Sequence, residues 1–131
     1  MANQDIISRQ EIEVVVNAFY DKVRKDDNLN VMFSDVNWQK HLPVMYDFWD
    51  NVLFYTGNYS GNPMAKHQIA NERHKLTADH FNRWLELFST TINELYSGPN
   101  AQLLKERAHS IAMIMRLKII GHKVDSHHGL I

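Results

Sequence analysis

The stretch of the chain best suited to metal chemistry is a short helical turn that carries one histidine, Pro63-Met64-Ala65-Lys66-His67-Gln68-Ile69. Asn62 is a favourable N-cap, and Pro63 suits the first helical position because its missing N–H would have been unpaired there. The polar run 70–75 keeps the predicted turn short. One inward histidine on such a turn suits a ligand to a large, flat group, although a lone histidine is more often a surface or hydrogen-bonded residue. The residues that face His67 must decide between the two.

Composition sets the broad class of the protein. The 131 residues are enough for one domain with its own core, and 44% hydrophobic and 22% charged residues are ordinary for a globular protein. With 14 basic and 15 acidic residues, the net charge of -1 does not favour nucleic-acid binding. The absence of cysteine excludes disulfides, thiolate ligands and cysteine nucleophiles. Because we find neither a secretion signal nor an apolar run of membrane length, we expect a cytoplasmic protein.

Apolar residues at helical spacing predict four long helices, two short helical pieces and no strand, which is an all-α fold. We expect a single domain over 1–131, with flexible tails at 1–6 and 122–131. Ser8 and Glu11 form a capping-box pair that opens the first helix. Tyr20 lies beside the apolar stripe of that helix, so its hydroxyl can point into the interior. A short apolar connector then brings Phe33 toward the centre.

Capping residues predict the ends of the other three long helices. The second helix is expected to run from Asn37 to about Thr56 with Gly57 after it, the third to start at Thr77, and the fourth to start at Asn100 and close at Gly121. The second helix presents His41, Met45, Phe48 and Trp49 on two neighbouring faces, and the third presents Phe81 and Trp84 in a wide apolar stripe. Pro43 lacks a backbone donor, so the first turn near His41 should be irregular or kinked.

Three kinds of chemistry can be weighed on these residues. Zinc is weakly supported, because there is no H-E-x-x-H pair and the histidines His67, His74 and His80 do not share one helical face. A hydrolase is disfavoured, because no acid and base pair lies near an apolar pocket. Haem fits better, since it needs one neutral imidazole on iron, an apolar slot rich in aromatic side chains, and a second side whose polarity decides what binds.

Five segments of the chain resemble the group III truncated haemoglobins. They are Phe19-Tyr20-Asp21-Lys22-Val23-Arg24, Trp38-Gln39-Lys40-His41-Leu42, Phe48-Trp49, Gly61-Asn62-Pro63-Met64-Ala65-Lys66-His67 and His80-Phe81-Asn82-Arg83-Trp84-Leu85-Glu86-Leu87-Phe88. They occur in the family's order and spacing over about 7–121, and the loop before Pro63 lacks the double glycine typical of the other truncated groups. The resemblance implies a shortened globin fold, in which two helices pack over two others with a b-type haem between them.

The resemblance also implies roles for individual residues. His67 would be the proximal iron ligand and Phe33 would stack on the haem; Tyr20, His41 and Trp84 would be the polar residues of the distal side, and Met45, Phe48, Trp49 and Phe81 would line the slot. A tyrosine hydroxyl and an indole N–H in a dry pocket would stabilise a ligand that carries partial negative charge. Without the resemblance, Trp84 would be interpreted as packing, because aromatic residues at helical spacing are usually core.

Two assignments stay open at the level of sequence. His41 could hydrogen-bond the ligand, gate its entry, or only occupy the irregular turn before Pro43. Arg73, His74 and Lys75 could meet the haem propionates, but a polar run after a short helix is more often solvated surface.

Three functional hypotheses follow. The first is a monomeric haem protein that binds or transports dioxygen or another diatomic ligand at a five-coordinate iron. The second is a haem redox enzyme for nitric oxide dioxygenation or peroxide reduction, with an unidentified reductase as partner. Globins share one fold across such roles, so the family does not decide between them. The third is a haem-free helical interaction module, which is disfavoured because no exposed apolar stripe remains once the core is assigned.

Overall fold

Four α-helices and two short helical pieces form the part of the chain that the computed structural model describes, residues 4–57 and 75–121. The long helices are α1 (Arg9–Lys25), α2 (Trp38–Phe54), α3 (Ala78–Leu95) and α4 (Pro99–Arg116). A 3₁₀ turn, Asn30–Phe33, connects α1 to α2, and a π-helical turn, Leu117–Gly121, follows α4. Helix α1 packs against α2 and α3, and α4 packs against the same two helices. This arrangement confirms the predicted all-α, two-over-two fold.

Helix α1 forms because its apolar residues recur on one face, and that face is buried. The buried residues are Ile12, Val15, Val16, Phe19, Tyr20 and Val23. Ser8 is the N-cap, as predicted, but its hydroxyl does not cap the backbone. It donates to the Glu11 carboxylate at 2.8 Å, and the same carboxylate accepts the Ile7 N–H at 3.2 Å. The predicted capping box, in which the Ser8 hydroxyl would accept a backbone N–H, therefore does not form. Ser8 donates to a carboxylate instead, and a hydrogen bond to a charged acceptor is stronger than one between neutral groups.

Asp26 both turns the chain after α1 and fastens it to α3. Its carboxylate accepts the backbone N–H groups of Asn28 and Leu29, each at 3.1 Å. It also accepts Nε of Arg83 at 2.7 Å, and its side chain is only 8% exposed. Because α1 carries Tyr20 and α3 carries Trp84, this ion pair helps to fix the spacing between the two helices.

Helix α2 starts where the sequence predicts and ends earlier. Asn37 is the N-cap and accepts the Lys40 N–H at 3.4 Å. The helix runs through Pro43 and ends at Phe54, followed by Tyr55 in the left-handed conformation with φ 56°. The predicted end near Thr56 is therefore wrong by about two residues. Gly57, two residues further on, is also left-handed, with φ 75°. Its N–H donates to the Asn51 side chain at 2.7 Å.

Helix α3 begins with a full capping box. Thr77 is the predicted N-cap, and its hydroxyl accepts the His80 N–H at 3.3 Å. Nδ1 of His80 accepts the Thr77 N–H at 3.0 Å in return. Histidine thus takes the place that glutamate or glutamine usually holds in this motif.

Helix α4 is capped by a residue far away in the sequence, Asp5, and the prediction that Asn100 caps it is wrong. Gly98 is the N-cap and Pro99 the first helical residue, while Asn100 lies inside the helix. The Asp5 carboxylate accepts the N–H groups of Asn100 at 2.9 Å and Ala101 at 2.8 Å. A carboxylate at this position accepts two N–H groups that the helix itself leaves unpaired. Its negative charge also interacts favourably with the positive end of the helix dipole.

Residues 4–6 together with 97–101 form what we call the N-terminal clamp. The Ser97 N–H donates to the Gln4 carbonyl at 3.0 Å, and the Asn100 amide donates to the Ile6 carbonyl at 2.7 Å. Ile6 is 0% exposed. Residues 4–6 are therefore packed and hydrogen-bonded, in contrast to the flexible tail expected over 1–6. The tails 1–3 and 122–131 lie outside the described residues.

Gly98 is required by the geometry of the clamp. Its φ of 142° is a conformation that residues with a side chain rarely adopt. A Cβ added there would lie 2.4 to 2.8 Å from the side chain of Asp5. Glycine is thus what allows Asp5 to approach the start of α4. None of the helices in the described ranges has the length and apolar content needed to cross a membrane.

Candidate functional site

A cavity of about 290 Å³ opens between the helices, and its walls are mostly apolar and aromatic. All four long helices contribute, together with the 3₁₀ turn and Leu76. The lining residues are Tyr20, Leu29, Met32, Phe33, Val36, His41, Met45, Phe48, Trp49, Leu76, His80, Phe81, Trp84, Ile111, Ala112 and Met115. An apolar pocket with a few polar groups in its wall is the usual form of a small-molecule or cofactor site.

Eight of the nine residues that the sequence singles out lie in this wall: Tyr20, Phe33, His41, Met45, Phe48, Trp49, Phe81 and Trp84. They come from α1, the 3₁₀ turn, α2 and α3, so helices far apart in sequence bring them together. The ninth, His67, lies outside the described residues, as does the turn 63–69 that carries it. Its role as iron ligand stays a prediction.

One side of the cavity is a cluster of four rings around Tyr20. The Tyr20 ring lies edge-on to His41 at 5.3 Å and to Phe33 at 5.9 Å between centroids. Trp38 stacks on Phe33 at 5.8 Å and meets His41 edge-on at 5.4 Å. The Arg24 guanidinium covers the Trp38 ring from outside, 4.7 Å from its centroid. Each ring is thus held by its neighbours in a single orientation.

The Tyr20 side chain is 4% exposed. Burial raises the pKa of its phenol well above the ordinary value, because the charged phenolate is disfavoured away from water. The hydroxyl therefore keeps its proton and can donate a hydrogen bond at neutral pH. For His41, the Nε2 atom is buried and the ring packs against Tyr20 and Trp38, which places this imidazole within the same cluster.

On the α3 side, Trp84 is fixed by a stack of parallel rings. Its ring is within 4° of parallel to Phe88 at 5.3 Å and within 27° of parallel to Trp49 at 6.0 Å. Phe19 of α1 abuts it edge-on at 5.4 Å. These contacts leave the indole little freedom to rotate, so the direction of its N–H is set by packing.

Two hydrogen-bond donors of the wall have no partner among the described residues. In the described ranges, no hydrogen bond uses the Tyr20 hydroxyl or the Trp84 indole N–H, and neither atom is fully enclosed by protein. Both side chains line the cavity, so both donors are open to an acceptor placed inside it. A polar atom of a bound ligand would supply the missing acceptor.

Eight of the sixteen residues in the cavity wall are not among the site residues predicted from the sequence. Ile111, Ala112 and Met115 were placed only on the apolar face of the last helix, and the periodicity of a helix cannot separate core from cavity wall. From the sequence, His80 is a weak zinc-ligand candidate and an alternative to His67 as iron ligand, not a residue of the cavity wall. Its position as third residue of the capping box could have suggested that its ring is fixed. Within residues 4–57 and 75–121, no three histidine or carboxylate side chains cluster as a metal site.

Comparisons with known proteins agree with this architecture. The family model for bacterial-like globins matches residues 4–119. The group 3 truncated haemoglobin Ctb of Campylobacter jejuni is 31% identical over 114 residues, which cover 82% of this chain and 87% of that protein. The group 1 truncated haemoglobin GlbN of Synechocystis is 28% identical over 85 residues, or 64% of this chain and 68% of that protein.

Among solved structures, the group III truncated haemoglobin from Campylobacter jejuni superposes with a TM-score of 0.80 at 27% identity, covering 89% of this chain and 94% of that one. Sequence and fold thus agree over nearly the whole length. The chain belongs to the bacterial-like globins, as one of the group III truncated haemoglobins.

Proposed function

We propose that the protein binds one b-type haem in the cavity and takes up dioxygen or another diatomic ligand there. The observation that carries this proposal is the convergence of eight predicted residues on one apolar cavity whose wall holds two unused donors. The family is one of haem-binding globins. We propose His67 as the ligand that holds a five-coordinate iron.

The residues of the cavity fit the chemistry of haem. The porphyrin is flat and apolar, and Phe33, Phe48 and Phe81 supply flat, apolar wall. When bound, haem would supply an iron atom that binds small ligands, and His67 would be the residue that holds it. The wall is mostly apolar, and a hydrogen bond made in surroundings of low polarity is stronger than one made in water.

The distal polar residues then decide which ligands are retained. Tyr20 donates from a hydroxyl that burial keeps protonated. Trp84 can only donate, because an indole N–H has no acceptor function. Both donors favour a ligand that gathers negative charge, such as dioxygen, over carbon monoxide, which gathers less. His41 lies in the ring cluster with Tyr20 and can contribute a hydrogen bond or control access.

The alternative function is a haem redox enzyme for nitric oxide dioxygenation or peroxide reduction. The two unused donors favour this alternative, because together they would slow the release of bound oxygen. A protein that releases oxygen slowly is poorly suited to oxygen transport. Such an enzyme needs a reductase as partner. For either function we propose a monomer acting in the cytoplasm, on the basis of the sequence.

The binding proposal is tested by His67→Ala. The parent should take up one haem and show the ferrous deoxy spectrum of a five-coordinate, imidazole-held iron, and the variant should lose stable ligation. His109→Ala is the matched control, because this exposed histidine of α4 lies outside the cavity wall. An unchanged ferrous spectrum in His67→Ala would contradict the proposal and point to His74 or His80.

Turnover separates the two functions. The oxygenated protein is mixed with nitric oxide, and the ferric protein with peroxide, each with an electron donor present. Consumption over many cycles supports the enzyme. A single stoichiometric reaction followed by arrest supports ligand binding alone.

A further inference from the structure

His80 stands where the apolar cavity meets a polar cleft on the surface. It lines the cavity beside Phe81 and Trp84, and it also lines the cleft with Asp79, Arg83 and Glu86. It is the only residue of the described ranges that belongs to both linings. Its half-buried imidazole therefore forms part of the rim of the cavity.

The capping box fixes both the orientation and the proton of this imidazole. Nδ1 accepts the Thr77 N–H at 3.0 Å, so the proton of the neutral ring is on Nε2. Within the described residues, Nε2–H makes no hydrogen bond. The ring thus presents one donor in a fixed position at the boundary between cavity and cleft.

The nearby cation of the cleft is already engaged. Nε of Arg83 donates to Asp26 at 2.7 Å, and its Nη1 donates to Glu86. The Asp79 side chain is exposed to solvent. Since His80 is the residue common to both linings, its Nε2–H is a donor placed to meet an acidic group that emerges from the cavity.

We propose that His80 donates from Nε2 to a propionate carboxylate of the haem at the mouth of the cavity. This inference rests on the proposed haem binding. The porphyrin ring gains from burial, but its two carboxylates lose hydration if buried, so they must leave the cavity at a polar rim. His80 precedes Trp84 by one helical turn on the same face of α3, so a flat group against Phe81 and Trp84 would end at this imidazole.

A hydrogen bond to a carboxylate is worth about 1.5 to 3 kcal/mol, which corresponds to roughly tenfold to hundredfold in a dissociation rate. The experiment measures the transfer of haem from the protein to an excess of a haem-free acceptor. The variant His80→Glu keeps the capping box, because glutamate is a preferred third residue, and places a second carboxylate beside the propionate. We expect His80→Glu to lose haem at least about tenfold faster than the parent.

Haem dimethyl ester, in which both propionates are esterified, separates this bond from packing. With the ester, His80→Glu and the parent should lose the porphyrin at similar rates. His80→Gln should lie close to the parent with ordinary haem, since its amide can both cap the helix and donate. Thermal unfolding of the haem-free forms should be unchanged in both variants, which shows that the helix cap is intact.

Lys40→Glu is the matched charge control, because this exposed cation of α2 lies in neither lining. It should accelerate haem loss less than His80→Glu. The inference is overturned if His80→Glu accelerates the loss of haem and its ester equally, if it accelerates neither, or if Lys40→Glu has the larger effect. A parent that takes up neither porphyrin contradicts the proposed function itself.

Discussion

The cavity and the N-terminal clamp use polar groups in opposite ways. In the clamp, the Asp5 carboxylate accepts two backbone N–H groups and the amide of Asn100 donates to a carbonyl, so the polar atoms that hold it together are bonded to each other. In the cavity wall, Tyr20 and Trp84 keep donors that no described group accepts. Bonds within the protein stabilise the fold, whereas donors left open at a cavity are available to a ligand. Mutations at the two regions should therefore separate stability from ligand binding.

The largest effect on stability is expected behind the cavity wall. Phe88 is 0% exposed and packs against Phe19, Trp49 and Trp84. Phe88→Ala should lower the free energy of unfolding by about 3 to 5 kcal/mol, because it removes the ring and leaves a void. Phe48→Ala is the control, since this half-buried ring lines the existing cavity. Urea denaturation measures the free energy of unfolding of both variants. Equal losses would show that the cavity wall and the core contribute equally to stability.

Loss of the open donors should change ligand release. Tyr20→Phe keeps the ring and should change stability little, whereas Trp84→Phe also removes ring atoms from the stack with Phe88 and Trp49 and should lower stability. Tyr20→Phe and Trp84→Phe should each speed oxygen release by roughly tenfold to hundredfold, since a hydrogen bond to a partly charged ligand contributes about 1.5 to 3 kcal/mol. Carbon monoxide release should change much less. Rapid mixing of the oxygenated forms gives both rates.

The double variant sharpens this result. If both donors reach the same ligand atom, the two effects should be non-additive. Oxygen release at the parent's rate in both single variants would remove the distal-donor mechanism and, together with absent turnover, the enzyme hypothesis.

At the clamp, Asp5→Ala should lower the free energy of unfolding by about 1 kcal/mol, the usual magnitude for a lost helix cap, without changing oxygen release. Burial acts to raise the pKa of Asp5, but the N–H groups of Asn100, Ala101 and Ile6 outweigh it, so the net pKa is lowered. A lowered folded pKa gives stability that is present above the unfolded value of 3.8 and is lost as the pH falls through the folded value.

Urea denaturation at neutral pH and below pH 3.8 tests this sign. The difference between Asp5→Ala and the parent should be constant near neutral pH and shrink in acid. A difference that grows in acid would mean that the carboxylate is not the stabilising form. Altered oxygen release in this variant would break the separation between clamp and cavity.

The smallest expected effect is at His41, whose ring belongs to the cluster around Tyr20. If His41 gates entry, His41→Leu should change ligand association rates by a few-fold. The haem content should stay the same. Equal association rates after flash photolysis of the carbon monoxide forms would identify His41 as a packing residue.

Eight residues singled out from the sequence lie in the cavity wall, whereas the clamp was not predicted, and the reason is physical. Tyr20, His41 and Trp84 lie on helix faces, and a regular helical repeat sets the face of each residue from its number alone. The order of the helices and their apolar stripes then bring those faces together. The resemblance to a family added the roles, because packing residues and ligand-binding residues look alike in periodicity.

The clamp could not be predicted in this way. Asp5 meets Asn100 and Ala101 across separations of 95 and 96 residues, and only the packed fold brings them together. The residue type of Asn100 is typical of an N-cap, but the Asp5 carboxylate accepts the N–H groups at the start of α4 instead. Tyr55 ends α2 in a conformation that favours glycine, which no propensity of tyrosine predicts.

The aromatic wall has an optical consequence. The chain has three tryptophans, and two of them, Trp49 and Trp84, line the cavity, while Trp38 stacks on Phe33 of the same wall. Indole emission overlaps the absorption of a porphyrin, and energy transfer over such short distances is efficient. Intrinsic fluorescence of the haem-free protein should therefore be almost wholly quenched as the cavity fills, because no remote tryptophan contributes a constant background. The native chain thus contains its own reporter of occupancy, and porphyrin uptake can be titrated without attaching a dye.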